Sequence, residues 1–280
     1  MVRPAGAQGV NTLVTDLRFP EGPTFAPDGA LWCVELKGGG LCHLHNGVLT
    51  RIATGGEPNG IAISADGRVW FCDAGQRSVR VHDPRDGSTR TVVDSLDGAP
   101  LGKPNDLAFD AAGNLLFTCP NDARTEAVGY VCCLAPDGTL TRIASGMYFC
   151  NGLAFTADGG ELVVAETYRQ RLWRGRWDAA ARRWEGRVWA EGLQGPPGPD
   201  GMAFAADGTL WVAVYGSGQI MGVDPSGHIT RRIELPGRNP TNCAFDPSDR
   251  LGLVVTEAEK GLLLSLPELG TGIALFGGAA

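Results

Sequence analysis

Six short segments of this chain have nearly the same sequence, and their starts lie 38 to 49 residues apart. Each consists of a proline or cysteine, a polar residue and a small run of apolar residues, and they begin at Pro20, Pro58, Pro104, Cys150, Pro199 and Pro240. A period of about 40–50 residues of strand-like sequence is typical of a β-propeller with one repeat per blade. The sequence therefore predicts an all-β fold, a six-bladed β-propeller.

Each repeat contains four strand-sized parts separated by turn residues. In the second repeat these parts are 60–64, 68–73, 78–83 and 89–96, with Asp-Gly pairs at two of the turns. Such alternation indicates four antiparallel strands per blade. The last repeat lacks a fourth strand, and the N-terminal segment 12–17 resembles one, so we expect it to close the ring and remove an exposed edge. Residues 1–280 are predicted to form a single domain.

The second position of the six segments is always an oxygen-bearing side chain. The six residues are Glu21, Asn59, Asn105, Asn151, Asp200 and Thr241. Repeats around an axis bring equivalent positions together, so these side chains should meet where the central channel opens. Two carboxylates, three amides and a hydroxyl form an all-oxygen site that suits a hard divalent cation.

Composition excludes several classes of partner. The net charge is −7 and lysines and arginines form no cluster, which argues against binding to nucleic acid or to an anionic membrane. The sequence has no apolar run of about 18 residues that would span a membrane and no apolar stretch typical of a secretory signal. We expect a cytoplasmic protein with a small-molecule substrate, either a monomer or a weak homo-oligomer.

The chain resembles the family of senescence marker protein (regucalcin), gluconolactonase and luciferin-regenerating enzyme. The resemblance rests on the segments PEGPTF, KPNDLAFD, CNGLAF, GPDGMAF and PTNCAFD in this order, and it spans about residues 12 to 265. It implies a six-bladed propeller that binds one divalent metal cation, with Glu21, Asn151 and Asp200 as ligands and Asn105 as a ligand or close neighbour. Members of this family include lactonases that open sugar lactones.

One position departs from the sugar lactonases. The resemblance leads us to expect arginine two residues before Asn105, and this chain has Lys103. A lysine donates hydrogen bonds as a point charge and not as a planar fork. Lys103 is therefore a candidate substrate-binding residue. Because of this departure, the resemblance supports lactone hydrolysis as the reaction more strongly than it supports a gluconate-type substrate.

The charge that develops in lactone hydrolysis suggests the role of each group. A bound cation polarises the carbonyl oxygen and activates water, and a nearby carboxylate accepts the proton. Asp200 is the candidate base, with the alternative that it acts only as a ligand. Oxygen ligands favour Ca²⁺, and Zn²⁺, Mn²⁺ and Mg²⁺ stay open. Asn59, Asn105 and Tyr148 are further candidates for substrate binding, although Tyr148 could equally pack between blades.

Two other functions stay open on the sequence alone. The same site is compatible with another metal-dependent hydrolase or a lyase, for example one that hydrolyses phosphotriesters, and the fold is compatible with a calcium-binding propeller that is not an enzyme. Four acidic residues end the second strands of their repeats. They are candidates for groups that surround the ring site, with the alternative, which we favour, that they pair with nearby cations such as Lys37, Arg77 or Arg169. These four residues are Glu35, Asp73, Glu166 and Glu257.

Overall fold

The computed structural model describes residues 9–277, which form the predicted six-bladed β-propeller. Each blade is a four-stranded antiparallel sheet in which strands that follow one another in the chain are hydrogen-bonded neighbours. The prediction of a single domain over residues 1–280 includes residues outside the described range and stays a prediction.

The first three blades have the following strands, from the channel outward. Blade 1 contains Pro20–Phe25, Leu31–Glu35, Gly40–His45 and Val48–Ala53. Blade 2 contains Pro58–Ile63, Val69–Asp73, Ser78–His82 and Thr89–Val93. Blade 3 contains Leu107–Phe109, Leu115–Cys119, Gly129–Leu134 and Leu140–Met147. A small hairpin of Ser95–Leu96 and Ala99–Pro100 precedes blade 3.

The other three blades follow the same plan. Blade 4 contains Cys150–Phe155, Glu161–Glu166, Arg171–Asp178 and Arg183–Glu191. Blade 5 contains Gly198–Phe204, Leu210–Tyr215, Gln219–Val223 and Ile229–Glu234. Blade 6 contains Pro240–Phe245, Leu253–Glu257, Leu262–Leu266 and Asn11–Val14. The 3₁₀ turns are Leu36–Gly38, Thr167–Arg169 and Pro267–Leu269. Within residues 9–277, no helix has the length and apolar content needed to cross a bilayer.

The N-terminal strand closes the ring. Asn11–Val14 pairs antiparallel with Leu262–Leu266, with Asn11 opposite Ser265 and Thr12 opposite Leu264. It forms the outer strand of the blade whose other three strands come from the end of the chain. The prediction that the N-terminal segment supplies this strand is confirmed.

The hydrophobic core lies between adjacent blades. The second strand of each blade is buried along nearly its whole length, whereas the outer strands alternate between exposed and half-buried residues. One apolar cluster joins Cys72 and Val79 of blade 2 to Phe109 and Phe117 of blade 3. Because both faces of this second strand pack against neighbouring blades, its sequence is almost continuously apolar.

The C-terminal segment crosses the face of the ring opposite the channel mouth. The Ile273 N–H donates to the Phe204 carbonyl of blade 5 at 3.1 Å, and the Ala65 N–H of blade 2 donates to the Gly277 carbonyl at 2.6 Å. Between them the Phe276 ring lies 6.3 Å from the Phe155 ring of blade 4. This segment, which the repeat pattern did not predict, covers the ends of the inner strands.

The inner strands are irregular at the positions that matter for the site. Their pairing with the second strands shifts register between Glu21 and Thr24 in blade 1, and equivalent shifts follow Pro58, Cys150, Pro199 and Pro240. A bulge of this kind re-aims a side chain that would otherwise follow the pleat. The polar residue of each repeat can therefore leave the sheet plane at the channel mouth.

Candidate metal centre at the channel mouth

The three residues predicted as principal ligands lie together in the interior of the ring. Glu21, Asn151 and Asp200 are 4%, 5% and 7% exposed. The Asn151 side chain and the charge of Glu21 both act on the Asp200 carboxyl, the first lowering its pKa and the second raising it. These residues come from blades 1, 4 and 5, so the bulges bring together groups that are 49 to 179 residues apart in the chain.

The carboxyl groups at this site are buried close enough to oppose one another's ionisation. Burial raises the pKa of Glu21 to about 8, repulsion from Asp106 adds to the shift, and the Gly22 N–H and the Asn242 amide oppose it. Burial also raises the pKa of Asp200 well above its usual range, with further contributions from Glu21 and Asp106. No lysine, arginine or histidine in the described residues offsets either shift. Buried charges without a counter-charge are costly, so the site favours a bound cation.

Asn151 has an unused acceptor in this site. Its Nδ2 donates to Thr167 Oγ1 at 3.2 Å, and the Thr167 hydroxyl donates to the Pro199 carbonyl at 2.7 Å. Its Oδ1 is buried without a hydrogen-bond partner in the described structure. Because an unmade hydrogen bond to a buried oxygen is costly, this oxygen is suited to ligate a cation.

The side chains at this site can bind a hard cation only if an amide oxygen is among the ligands. Within residues 9–277, no three His, Cys, Asp or Glu side chains converge closely enough to form a metal site by themselves. Glu21, Asp200 and Asn151 together supply two carboxylates and one unpaired amide oxygen. Such oxygen ligands match Ca²⁺ and similar hard ions.

Two residues that sequence reasoning did not place among the site side chains also lie at the axis. Asp106 and Asn242 are each 7% exposed, and Asn242 Nδ2 donates to Asp106 Oδ2 at 3.2 Å. Burial raises the pKa of Asp106 to about 6, while the Leu107 N–H, the Asn242 amide and the Leu153 N–H oppose the shift. The repeat contained a signal for them, because the equivalent position is glycine in the other four copies.

The sixth ring position has a different role from the one expected. Thr241 is fully buried, and its hydroxyl donates to the Pro20 carbonyl at 2.8 Å. It also lies 2.8 Å from the Thr256 hydroxyl. The Thr241 side chain therefore joins blade 6 to blade 1, and its hydroxyl is used there.

The four acidic residues that end second strands hold the connections that enter the site. Each accepts a hydrogen bond from a backbone N–H one or two residues before the repeated segment: Arg18 to Glu35, Glu57 to Asp73, Tyr148 to Glu166 and Asn239 to Glu257. Three of them form ion pairs, but with partners other than those expected: Arg51, Arg80 and Arg171. These carboxylates therefore fix the backbone that carries the ring residues.

Aromatic rings border the site on the side of blades 1, 4 and 5. The Phe19 and Tyr215 rings stack with centroids 6.3 Å apart, and Phe149 lies 5.5 Å from Tyr168. Burial raises the pKa of the Tyr215 hydroxyl, and the charges of Asp200, Glu21 and Glu257 add to this effect. Sequence reasoning missed Tyr215, which the repeats do not mark because each blade has a different residue there.

The remaining substrate-binding candidates lie around this site in different environments. Asn59 is buried beside Gly22, and Asn105 is half-buried, with its N–H donating to the Thr118 carbonyl. Lys103 has a φ of 57° and forms a half-exposed ion pair with Asp122. The Tyr148 ring lies against the Arg169 guanidinium at 3.7 Å. Roles for these four residues stay predictions.

Comparisons with known proteins agree with this architecture. A family model described as SMP-30/Gluconolactonase/LRE-like region matches residues 19–259. A gluconolactonase of Zymomonas mobilis is 30% identical over 207 residues, which cover 67% of this chain but only 57% of that protein. A pentonolactonase of Haloferax volcanii is 29% identical over 259 residues, covering 87% of this chain and 83% of that protein.

A solved structure is similar over most of its length. It is described as a gluconolactonase of Xanthomonas campestris, with 26% sequence identity and a TM-score of 0.81. The alignment covers 92% of this chain and 89% of that one. The similarity therefore extends over all six blades and is not confined to the repeated segments.

Proposed function

Because the chain belongs to the SMP-30/gluconolactonase/LRE-like family, we propose that it is a hydrolase that opens a lactone or a similar cyclic ester with the help of one divalent cation. The observation that carries the proposal is the pair of buried carboxylates, Glu21 and Asp200, beside the unpaired oxygen of Asn151. The lactonase names of the two curated relatives support the reaction class. Ca²⁺ is the cation we favour, on ligand hardness.

Each residue of the site has a defined task in this proposal. Glu21, Asn151 and Asp200 hold the cation, with Asn105 as a further ligand or a neighbour. When bound, a divalent cation polarises a substrate carbonyl and lowers the pKa of water. Asp200 accepts a proton from the attacking water and returns it to the ring oxygen as the carbon–oxygen bond breaks. The product is an open-chain hydroxy acid.

The surroundings of the site support binding of a small cyclic substrate. The aromatic side chains of Phe19, Tyr168 and Tyr215 border one half of the mouth, and apolar walls with a few polar groups are typical of small-molecule sites. On the other half, Lys103 and Asn105 offer hydrogen-bond donors to substrate oxygens. Asn59 and Tyr148 are assigned to substrate binding in the same sense.

The proposal is tested by a panel of esters assayed through the acid that hydrolysis releases. The panel contains sugar lactones, aliphatic lactones, an aromatic lactone and a phosphotriester, each with and without chelator. We expect at least one lactone to be hydrolysed, with loss of activity in chelator and recovery after addition of a divalent salt. Hydrolysis of the phosphotriester alone would favour the other metal-dependent hydrolase, and no turnover of any compound would favour the calcium-binding propeller.

Replacing Lys103 by alanine is expected to raise KM for the best lactone by roughly tenfold while kcat changes less, because a lost substrate hydrogen bond to a charged group weakens binding. The backbone at Lys103 has a φ of 57°, and its ammonium forms an ion pair with Asp122. Asp122→Asn is the matched control, since it breaks the ion pair and keeps the lysine. Equal KM values for Lys103→Ala and the unmodified protein would remove this residue from substrate binding.

A further inference from the structure

A second layer of six equivalent residues lies one position deeper than the ring of ligands. Four are glycines whose Cβ atoms would meet neighbouring atoms at 1.9 to 2.8 Å. The other two have side chains, which occupy the space that the glycines leave. The layer consists of Gly22, Gly60, Gly152, Gly201, Asp106 and Asn242.

Neighbouring residues of this layer lie in close contact. A Cβ at Gly22 would meet Gly60 Cα at 2.9 Å, and one at Gly60 would meet Asp106 Oδ1 at 2.1 Å. The Asn242 amide bonds Asp106 and lies where a Cβ of Gly201 would be. The Asp106 carboxylate therefore packs against Gly60 and Asn242, which in turn lie against Gly22 and Gly201, the residues that follow Glu21 and Asp200.

Both oxygens of Asp106 are already used by the protein. Oδ1 accepts the Leu107 N–H at 2.9 Å, and Oδ2 accepts the Asn242 amide at 3.2 Å. Asn242 Oδ1 in turn accepts the Cys243 N–H at 2.8 Å. These bonds hold Asp106 in place, and its charge acts on both Glu21 and Asp200.

We propose that Asp106 is a positioning residue of the cation site, a third buried charge that Asn242 holds beneath the ligands and that strengthens cation binding without being a ligand. This inference rests on the proposed function, because it requires a cation at Glu21, Asn151 and Asp200. Glycine at the other four positions keeps the layer thin enough for one carboxylate to lie on the axis.

Two single substitutions with opposite effects on charge separate this role from a structural one. Asp106→Asn removes the third charge, and Asn242→Asp adds a fourth at the neighbouring position. The double variant Asp106→Asn with Asn242→Asp exchanges the two groups, so that the charge, the bond between them and both backbone contacts are kept. Calcium binding is measured by calorimetry on protein stripped of metal, and melting temperatures are measured in chelator and in saturating calcium.

The charge role predicts a specific order. Asp106→Asn should raise the calcium Kd by about tenfold or more, Asn242→Asp should lower it several-fold, and the exchanged protein should lie within about threefold of the original. The gain in melting temperature on adding calcium should follow the same order. A structural role would instead weaken binding in both single variants.

The outcomes distinguish this inference from the proposed function. If the unmodified protein binds no calcium, manganese, magnesium or zinc, the proposed cation site fails. If it binds calcium but Asp106→Asn has the same Kd, or if Asn242→Asp binds more weakly than the unmodified protein, only the role of Asp106 is overturned. If the Asn242→Asp variant does not fold, Asp106→Asn and the exchanged protein still test the proposal. A role through charge requires weaker calcium binding in Asp106→Asn and restored calcium binding in the exchanged protein.

Discussion

Replacing Asp200 by asparagine is expected to lower turnover of the best lactone by ~10²–10⁴, the usual contribution of a positioned acid–base group. The change keeps the size of the side chain and one oxygen ligand, but it removes a charge and the proton acceptor. Asp200 is buried and asparagine has nearly the same shape, so the substituted side chain should keep its place in the site. Cation should still bind, more weakly, through Glu21 and Asn151.

The test is a titration of the variant's turnover with divalent cation. If Asp200 is the base, turnover stays low at saturating cation. Recovery of the full rate at high cation would restrict Asp200 to the role of a ligand. Asp207→Asn is a suitable control, since Asp207 lies in blade 5 as well, on the turn at the far end of the same inner strand, where it accepts the Thr209 N–H.

Glu21→Gln is expected to weaken cation binding by about a hundredfold or more, because a unit charge pair at ~4 Å near a protein surface interacts by about 4 kcal/mol. Activity without added cation should fall below detection and return in large part at high cation, since Asp200 is still present. The cation-free variant should also melt at a higher temperature at neutral pH, because it lacks a carboxyl group whose ionisation is opposed by burial, which raises its pKa to about 8. At high cation concentration, turnover should therefore return in Glu21→Gln and stay low in Asp200→Asn.

Calorimetry and thermal melting in chelator check the second prediction. Glu191→Gln provides the control, since Glu191 is exposed on the outer strand of blade 4 and its loss should alter neither quantity. Unchanged cation affinity in Glu21→Gln would place the cation elsewhere in the protein. A lower melting temperature in chelator would mean that the Glu21 charge is not a cost in the cation-free state.

The repeats predicted the blades and the buried ring because both depend on sequence period alone. Equivalent positions in a closed ring must meet at the axis, so Glu21, Asn151 and Asp200 could be brought together without any contact information. The N-terminal strand was predictable for the same reason, because the last repeat was one strand short. The blades, the ring residues and the N-terminal strand can all be predicted from the spacing of the repeated segments.

The direction of individual side chains was not predictable from the period. In the second layer, the four glycines conceal that the equivalent Asp106 and Asn242 have side chains that bond each other inside the ring. Thr241 occupies a ring position, but its hydroxyl bonds Pro20 instead. In the five blades other than blade 3, a register shift in the inner strand changes which residue turns inward, and the spacing of the repeats does not reveal it.

Groups outside the repeat were also missed. Tyr215 and Tyr168 occupy positions that differ from blade to blade, so no pattern marked them. The segment that ends near Phe276 belongs to no repeat, and its packing against Phe155 depends on the closed ring. The ion pairs of Glu35, Asp73 and Glu166 were expected in kind, but their arginine partners lie on the third or fourth strand of the same blade and not on the following turn.

The central claim is that one cation, held by Glu21, Asn151 and Asp200, is needed for lactone hydrolysis. The most direct test is a calcium titration of metal-stripped protein in which bound cation and lactone hydrolysis are followed in the same sample. The account predicts no hydrolysis before addition and a rate that rises in proportion to bound cation until about one ion per chain. Full hydrolysis in the presence of chelator, or a rate that does not follow the bound cation, would contradict it.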